Sequence, residues 1–102
     1  MKHKRTKATS IPPAVKYAVN RRDGGRCIFC GRYGDPVAHV VARSQGGLGI
    51  EQNIITACWE CHQKMDNSTA RRAMIEEAIE YLRDYYGEWS KEEVTYQKWK
   101  SE

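Results

Sequence analysis

Cys27-Ile-Phe-Cys30 and Cys58-Trp-Glu-Cys61 decide the fold of this chain. The two Cys-x2-Cys pairs are separated by 27 residues and contain all four cysteines of the protein. Four thiolates at this spacing can close a tetrahedral zinc shell, which would fold the segment between the pairs back on itself. We therefore expect one structural Zn²⁺, bound by Cys27, Cys30, Cys58 and Cys61.

Two disulfides are the alternative use of these cysteines. The chain opens with the charged sequence Met1-Lys-His-Lys-Arg5 and no apolar segment behind it, so we expect no signal peptide and a cytoplasmic location. Thiols stay reduced inside cells, where paired Cys-x2-Cys sequences usually bind metal. No apolar run approaches the roughly 20 residues of a membrane span. These observations favour zinc over disulfides and predict no membrane contact.

Length and charge predict one small domain with a basic front end. The 102 residues carry a net charge of +4, but residues 1–32 contain nine Lys or Arg and one Asp. We expect a basic flexible tail over residues 1–10 and a single domain over residues 11–102. Such a tail is typical of a polyanion-binding protein, and DNA is the partner it suggests, although a basic tail can also serve solubility alone.

The order of apolar, glycine and proline residues predicts an α+β fold. Val37–Val41 and Ile54–Ala57 are short β-branched segments separated by a glycine-containing loop, which favours an antiparallel hairpin. Helical periodicity and capping residues predict a helix before the hairpin and three after it, with Lys16 and Arg22 outside the apolar stripe of the first. The predicted helices cover residues 12–22, 58–66, 67–86 and 90–99, so the core is 27–66 and the C-terminal helices lie within 67–100.

Polar residues between and after the cysteine pairs form a candidate reactive site. His62 and Asp66 are four residues apart on the predicted helix, so an imidazole and a carboxylate converge on one point and suit a divalent cation. Asn53 can hydrogen-bond across the loop and hold His39, and an oriented imidazole can serve as a general base. Arg43, at the start of the loop, is either a phosphate clamp or a surface arginine.

In this order and spacing the residues resemble the HNH endonuclease family, whose core is the ββα-metal fold. The resemblance covers residues 27–66 and is carried by Ala38-His39-Val40-Val41-Ala42-Arg43-Ser44, Gly46-Gly47, Asn53-Ile54, Cys58 and Cys61-His62. It looks most like the small phage-type members with a four-cysteine zinc site. A zinc ribbon alone has no use for the two histidines, the asparagine and the aspartate together.

The resemblance implies a role for each matched residue. His39 would be the base that activates water, Asn53 the orienting residue, and His62 a ligand of a catalytic Mg²⁺, Mn²⁺ or other divalent metal. Asp66 occupies the place where colicin-type relatives have a further metal ligand. Many members also have a metal-binding Asp or His where this chain has Ala38.

The departure at Ala38 leaves alternatives open for the metal shell and for the activity. Asp66, water and phosphate complete the shell, or Asp35 supplies a ligand, or the enzyme is weakened. We therefore expect a metal-dependent, phage-associated HNH endonuclease that hydrolyses DNA, with nicking favoured by one site per chain. The alternative is a catalytically weak or inactive zinc-ribbon module that binds DNA or a DNA-packaging partner. The expected state is a monomer or weak dimer in the cytoplasm, that of the host if a phage encodes it.

Overall fold

The computed structural model describes residues 4–97 and has the predicted α+β architecture, with one two-stranded sheet and helices on either side of it. Two single-turn 3₁₀ helices, Arg43–Gln45 and Glu51–Asn53, interrupt the loop between the strands. None of the helices among the described residues is long and apolar enough to cross a membrane. The regular elements are α1 (Lys4–Thr9), α2 (Pro13–Asp23), β1 (Asp35–His39), β2 (Ile54–Ala57), α3 (Trp59–Asn67) and α4 (Arg71–Tyr86).

The two strands pair antiparallel, as the sequence predicts. His39 is opposite Ile54 and Ala38 is opposite Ile55, with an irregularity between Asp35 and Ala38. All four residues of β2 are buried, because α2 packs against both strands. The register places His39 at the end of β1, where the loop begins.

The hydrophobic core joins the sheet to the last two helices. Ala38 and Ile55 from the sheet, Met65 from α3, and Ala78 and Leu82 from α4 form one buried cluster that also contains Cys27, Cys58 and Cys61. Burial of these side chains stabilises the domain by removing apolar surface from water. The thiol cluster is therefore part of the core, and α3 is fixed against it.

A buried ion pair at the end of α2 contradicts the expectation that Arg22 lies outside the packed face. The side chains of Arg22 and Asp23 are 2% and 0% exposed, and Arg22 Nε donates to Asp23 Oδ1 at 2.7 Å. Arg22 also donates to the carbonyl oxygens of Glu51 and Ile54, at 2.9 and 2.8 Å. Burial alone would raise the pKa of Asp23, but hydrogen bonds from Arg22 and Tyr81 hold it below its ordinary value. This pair ties α2 to β2 and to the loop.

The N-terminal segment differs from the predicted flexible tail. Lys4–Thr9 is helical, and Thr9 is only 3% exposed. The backbone N–H of Gly49 donates to the carbonyl of Ala8 at 3.0 Å, so a tertiary contact that the local sequence does not announce holds this segment on the loop. Residues 1–3 of the predicted tail lie outside the described residues.

The predicted last helix is also wrong over its described part. Residues 91–94 form turns, and Thr95 bridges Gly47. Leu48 N–H donates to Val94 O at 2.8 Å and Tyr96 N–H donates to Gly46 O at 2.7 Å, so backbone groups that a helix would use internally pair with the loop instead. The end of the predicted helix, residues 98–99, lies outside the described residues.

Candidate functional site

The four cysteines lie together in a geometry that fits zinc. Their Sγ atoms are all within 4.8 Å of one another, and those of Cys30 and Cys58 are 3.6 Å apart. In a tetrahedral Zn²⁺ shell with Zn–S bonds of about 2.3 Å, two sulfurs lie about 3.8 Å apart, so a contraction of at most about 1 Å closes the shell. The predicted metal-binding cluster of Cys27, Cys30, Cys58 and Cys61 is therefore present in the fold.

Local backbone geometry sets this cluster up. Cys58 is the N-cap of α3, and its Sγ accepts from the N–H of Cys61 at 3.4 Å. Burial opposes ionisation of Cys27, but backbone hydrogen bonds from Cys58, Cys30 and Phe29 outweigh it and lower the pKa of Cys27 to about 7. A thiol that ionises near neutral pH is a better metal ligand.

A second polar cluster lines an open cavity of about 400 Å³ beside the thiol cluster. His39 enters it from the end of β1, and His62 and Asp66 enter it from α3. Lys16 of α2, Arg43 of the loop and Arg71 of α4 line the same cavity. Three cations around two imidazoles and one carboxylate make this surface suited to an anion such as phosphate.

His62 and Asp66 are placed as a pair by one turn of α3. His62 Nε2 and Asp66 Oδ2 are 3.6 Å apart, and their side chains are 32% and 48% exposed. Ligand bonds of about 2.0–2.1 Å from each atom to a shared ion would span this distance with a bond angle near tetrahedral or wider. Octahedral Mg²⁺, which keeps several water ligands, would bind both atoms if they approached to about 2.9 Å, the separation that an angle of about 90° requires.

His39 is half-buried and is held by the N-terminal segment. Its Nε2 lies 2.9 Å from the carbonyl oxygen of Thr9. Burial lowers the pKa of His39 below its ordinary value, and the charges of Arg43 and His62 lower it further, while the bond with Thr9 opposes them. The imidazole is therefore largely neutral at pH 7 and able to accept a proton.

Asn53 organises the loop and does not touch the cavity. Its Oδ1 accepts from Val41 N–H at 2.8 Å, and its Nδ2 donates to the carbonyls of Val41 and Leu48 at 3.1 and 2.9 Å. Asn53 is fully buried, and its own carbonyl accepts from Val40 N–H. These bonds fix the segment that follows His39, which agrees with the expected hydrogen bonding across the loop.

Neither the position that departs from the family pattern nor its suggested substitute supplies a metal ligand at the cavity. Ala38 is fully buried in the core, on the strand position next to His39. Asp35 is exposed at the opposite end of β1 and does not line the cavity, so it supplies no ligand beside His62 in this structure. Arg43 lines the cavity, and its Nη2 donates to Ser10 Oγ at 3.3 Å.

Three groups at the site and one exposed aromatic residue of α3 were not identified from sequence. Lys16 and Arg71 lie on separate helices, and nothing in their spacing indicates that both reach the cavity. The Thr9 carbonyl is a backbone group in a segment without apolar residues to indicate packing. Trp59 is 75% exposed at the start of α3, three and seven residues before His62 and Asp66, and helical periodicity predicts a shared face. That spacing was the one available signal.

Comparison with known proteins agrees with this geometry. The family model described as HNH endonuclease matches residues 27–68, which include the thiol cluster, His39, Asn53, His62 and Asp66. A comparison with curated proteins finds no match. The matched segment thus contains both strands of the sheet and the helix α3 that follows them. Residues 27–68 of this chain are therefore similar to the HNH endonuclease family.

Proposed function

We propose that this protein is a metal-dependent endonuclease that hydrolyses phosphodiester bonds of DNA. The observation that carries the proposal is the convergence of His39, His62 and Asp66 on one cavity lined by basic side chains. The family of the matched segment implies a nuclease, and the cavity supplies the groups that such a reaction needs. The substrate would lie across the open cavity with one phosphate between the basic residues and α3.

The 3.6 Å separation of His62 Nε2 and Asp66 Oδ2 supports binding of Mg²⁺ or Mn²⁺ by this pair. When bound, the cation neutralises charge on the phosphate and stabilises the leaving 3′ oxygen. His62 and Asp66 would hold the cation, and water and substrate oxygens would supply its other ligands, as is usual for Mg²⁺. Zinc in the four-thiolate site has the separate role of holding α3 in place.

His39 is proposed as the general base. Its lowered pKa leaves the ring neutral at pH 7, so it can take a proton from water as the water oxygen bonds to phosphorus. The bond from phosphorus to the 3′ oxygen then breaks and leaves its electron pair on that oxygen. Lys16, Arg43 and Arg71 bind and orient the phosphate by charge.

The described residues contain one cavity with His39, His62 and Asp66, which supports nicking by a monomer over a concerted double-strand cut. The second candidate function is a catalytically weak DNA-binding module. Ala38 favours that candidate, because it is buried and offers no metal ligand at the position where many family members have one. Among the described residues, the cysteines are the only cluster of three or more metal-binding side chains. The two candidates differ in whether any divalent metal supports cleavage.

Supercoiled plasmid tests the proposal. We expect the purified protein to convert it to open circles in the presence of Mg²⁺ or Mn²⁺, and the zinc-containing protein should convert none when these ions are omitted. Linear DNA should follow only after the open form accumulates. A folded, zinc-containing protein that binds plasmid but converts none under any divalent metal would support the binding module instead.

A further inference from the structure

His39, at the end of β1, forms a hydrogen bond with the N-terminal segment. His39 Nε2 lies 2.9 Å from Thr9 O, although 30 residues separate them in the chain. A carbonyl oxygen only accepts hydrogen bonds, so the proton of the neutral ring must be on Nε2. The bond therefore selects one of two tautomers and leaves the lone pair on Nδ1.

The segment that supplies this carbonyl, here called the N-terminal arm (residues 4–10), is anchored where it meets the loop. Gly49 N–H donates to Ala8 O at 3.0 Å, and Thr9 is 3% exposed. A Cβ on Gly49 would lie 1.9 Å from the carbonyl oxygen of Ser10 and 2.6 Å from its carbonyl carbon. The two backbones approach so closely that only glycine fits at position 49, and this contact fixes the position of the arm against the loop.

We propose that the N-terminal arm is a positioning element of the active site: Thr9 O orients His39 and holds it in the Nε2–H tautomer, with Nδ1 as the proton acceptor. The inference rests on the proposed function of His39 as general base. It gives the arm a role different from the diffuse phosphate contact that its basic sequence suggests. A base that is held in one tautomer and one orientation lowers the activation barrier, because less conformational freedom is lost in reaching the transition state.

Other charged groups near His39 do not supply this function. Three cationic side chains line the cavity, and its one carboxylate, Asp66, lies 3.6 Å from His62 Nε2 and not beside His39 in the chain. Arg43 and His62 act on His39 through charge and disfavour its protonated form. The cavity's charged and titratable groups come from α2, the loop, α3 and α4, and are Lys16, Arg43, His62, Asp66 and Arg71.

Displacement of the arm in the full-length chain is the sharpest test. Gly49→Ala should push Ser10 and Thr9 away from the loop, and we expect kcat to fall by about tenfold or more with KM changed less than about twofold. The matched control is Lys2→Gln/Lys4→Gln/Arg5→Gln/Lys7→Gln, which removes the charge of the N-terminal segment but keeps its backbone. That variant should raise KM and its salt dependence and leave kcat unchanged.

A chain that begins at Ser10 supplies a second variant. Its kcat should fall as in Gly49→Ala. Adding Gly49→Ala to it should lower kcat no further, because the Thr9 carbonyl is already gone and the terminal Ser10 can move away from the added methyl group. Zinc content and circular dichroism check that each variant is folded. An increase in kcat on removal of the arm would mean that the arm inhibits, and a change in KM alone would mean that it only binds DNA; either result overturns the proposal.

Nitrogen NMR of the His39 ring tests the contact without cleavage. The wild-type protein above the pKa of His39 should show the Nε2–H tautomer, and Gly49→Ala should shift the ring toward a mixture of tautomers. An Nδ1–H ring in the wild type, or no change in Gly49→Ala, overturns the inference. This readout separates its failure from failure of the proposed nuclease function, which would show instead as no cleavage with the expected tautomer present.

Discussion

Replacement of Asp23 by Asn tests the buried tie between α2, β2 and α4. Asp23 accepts four hydrogen bonds: two from Arg22, at 2.7 and 3.0 Å, one from Thr56 N–H at 3.0 Å, and one from the Tyr81 hydroxyl at 2.5 Å. An asparagine has almost the same shape but one fewer acceptor and two added protons. In every orientation its NH₂ group faces a donor, and the guanidinium is left buried without a counter-charge.

The expected cost follows from this geometry. Removing one partner of a buried ion pair typically costs about 3–5 kcal/mol, because the remaining charge stays buried and unpaired. The Arg22 side chain is 2% exposed, so water does not replace the lost carboxylate. Since a small domain is stable by only about 5–15 kcal/mol, Asp23→Asn should remove a large part of the free energy of unfolding.

Urea unfolding at pH 7 and fixed free Zn²⁺, followed by circular dichroism, measures this change. Asp84→Asn is the control, because Asp84 is exposed on α4, and we expect its effect to stay within about 0.5 kcal/mol. The difference in free energy of unfolding between the wild type and Asp23→Asn should also become smaller in acid. The folded pKa of Asp23 is depressed, so its contribution is present above the unfolded pKa of about 4 and is lost as pH falls through the folded value. A loss equal to that of Asp84→Asn would refute the reasoning.

Three further predictions concern zinc, the proposed catalytic metal and DNA contact. Metal analysis should find one zinc per chain, and strong chelation or Cys58→Ala should remove most helicity, because the thiol cluster is part of the core; helicity that survives zinc loss would contradict this. Asp66→Ala should raise the Mn²⁺ concentration for half-maximal cleavage at least several-fold, with partial rescue by excess Mn²⁺; cleavage at unchanged Mn²⁺ would mean that Asp66 is no ligand. Trp59→Ala should raise KM for DNA with kcat little changed, since an exposed aromatic on the His62 face can stack on bases at about 1–3 kcal/mol each, whereas Tyr85→Ala, also exposed but on α4, should not.

The sequence predicted the elements whose cause is local. The strand Ile54–Ala57 agrees residue for residue, and Gly87 ends α4 as expected, with φ of 89°. Gly24 likewise ends α2 in the left-handed conformation, with φ of 67°. Cysteine spacing alone located the metal-binding cluster, because four thiolates at two short spacings have few other arrangements.

What the sequence missed depends on contacts between distant segments. Arg22 looks like an exposed cation on its own helix, and its hydroxyl partner Tyr86 is 64 residues away. The N-terminal arm has no apolar pattern, so its order follows from the backbone contact with Gly49. The capping pattern at Ser90 predicts a helix, but the Val94 carbonyl and the Tyr96 N–H form hydrogen bonds with residues 46–48 of the loop and not within a helix. Basic residues of the cavity were missed for the same reason, since Lys16 and Arg71 meet only in the folded chain.

The rate of plasmid nicking by His39→Ala tests the central claim most directly. It is compared with wild type at saturating DNA and Mn²⁺, with equal zinc content in both proteins. A general base contributes to the transition state, so we expect kcat to fall by roughly 10²–10⁴-fold with DNA affinity nearly unchanged. In the wild type, the rate should decline only as pH falls through the lowered pKa of His39, below 6.5. Cleavage by His39→Ala at the wild-type rate, with the same pH profile, would contradict the assignment of this cavity as a nuclease active site.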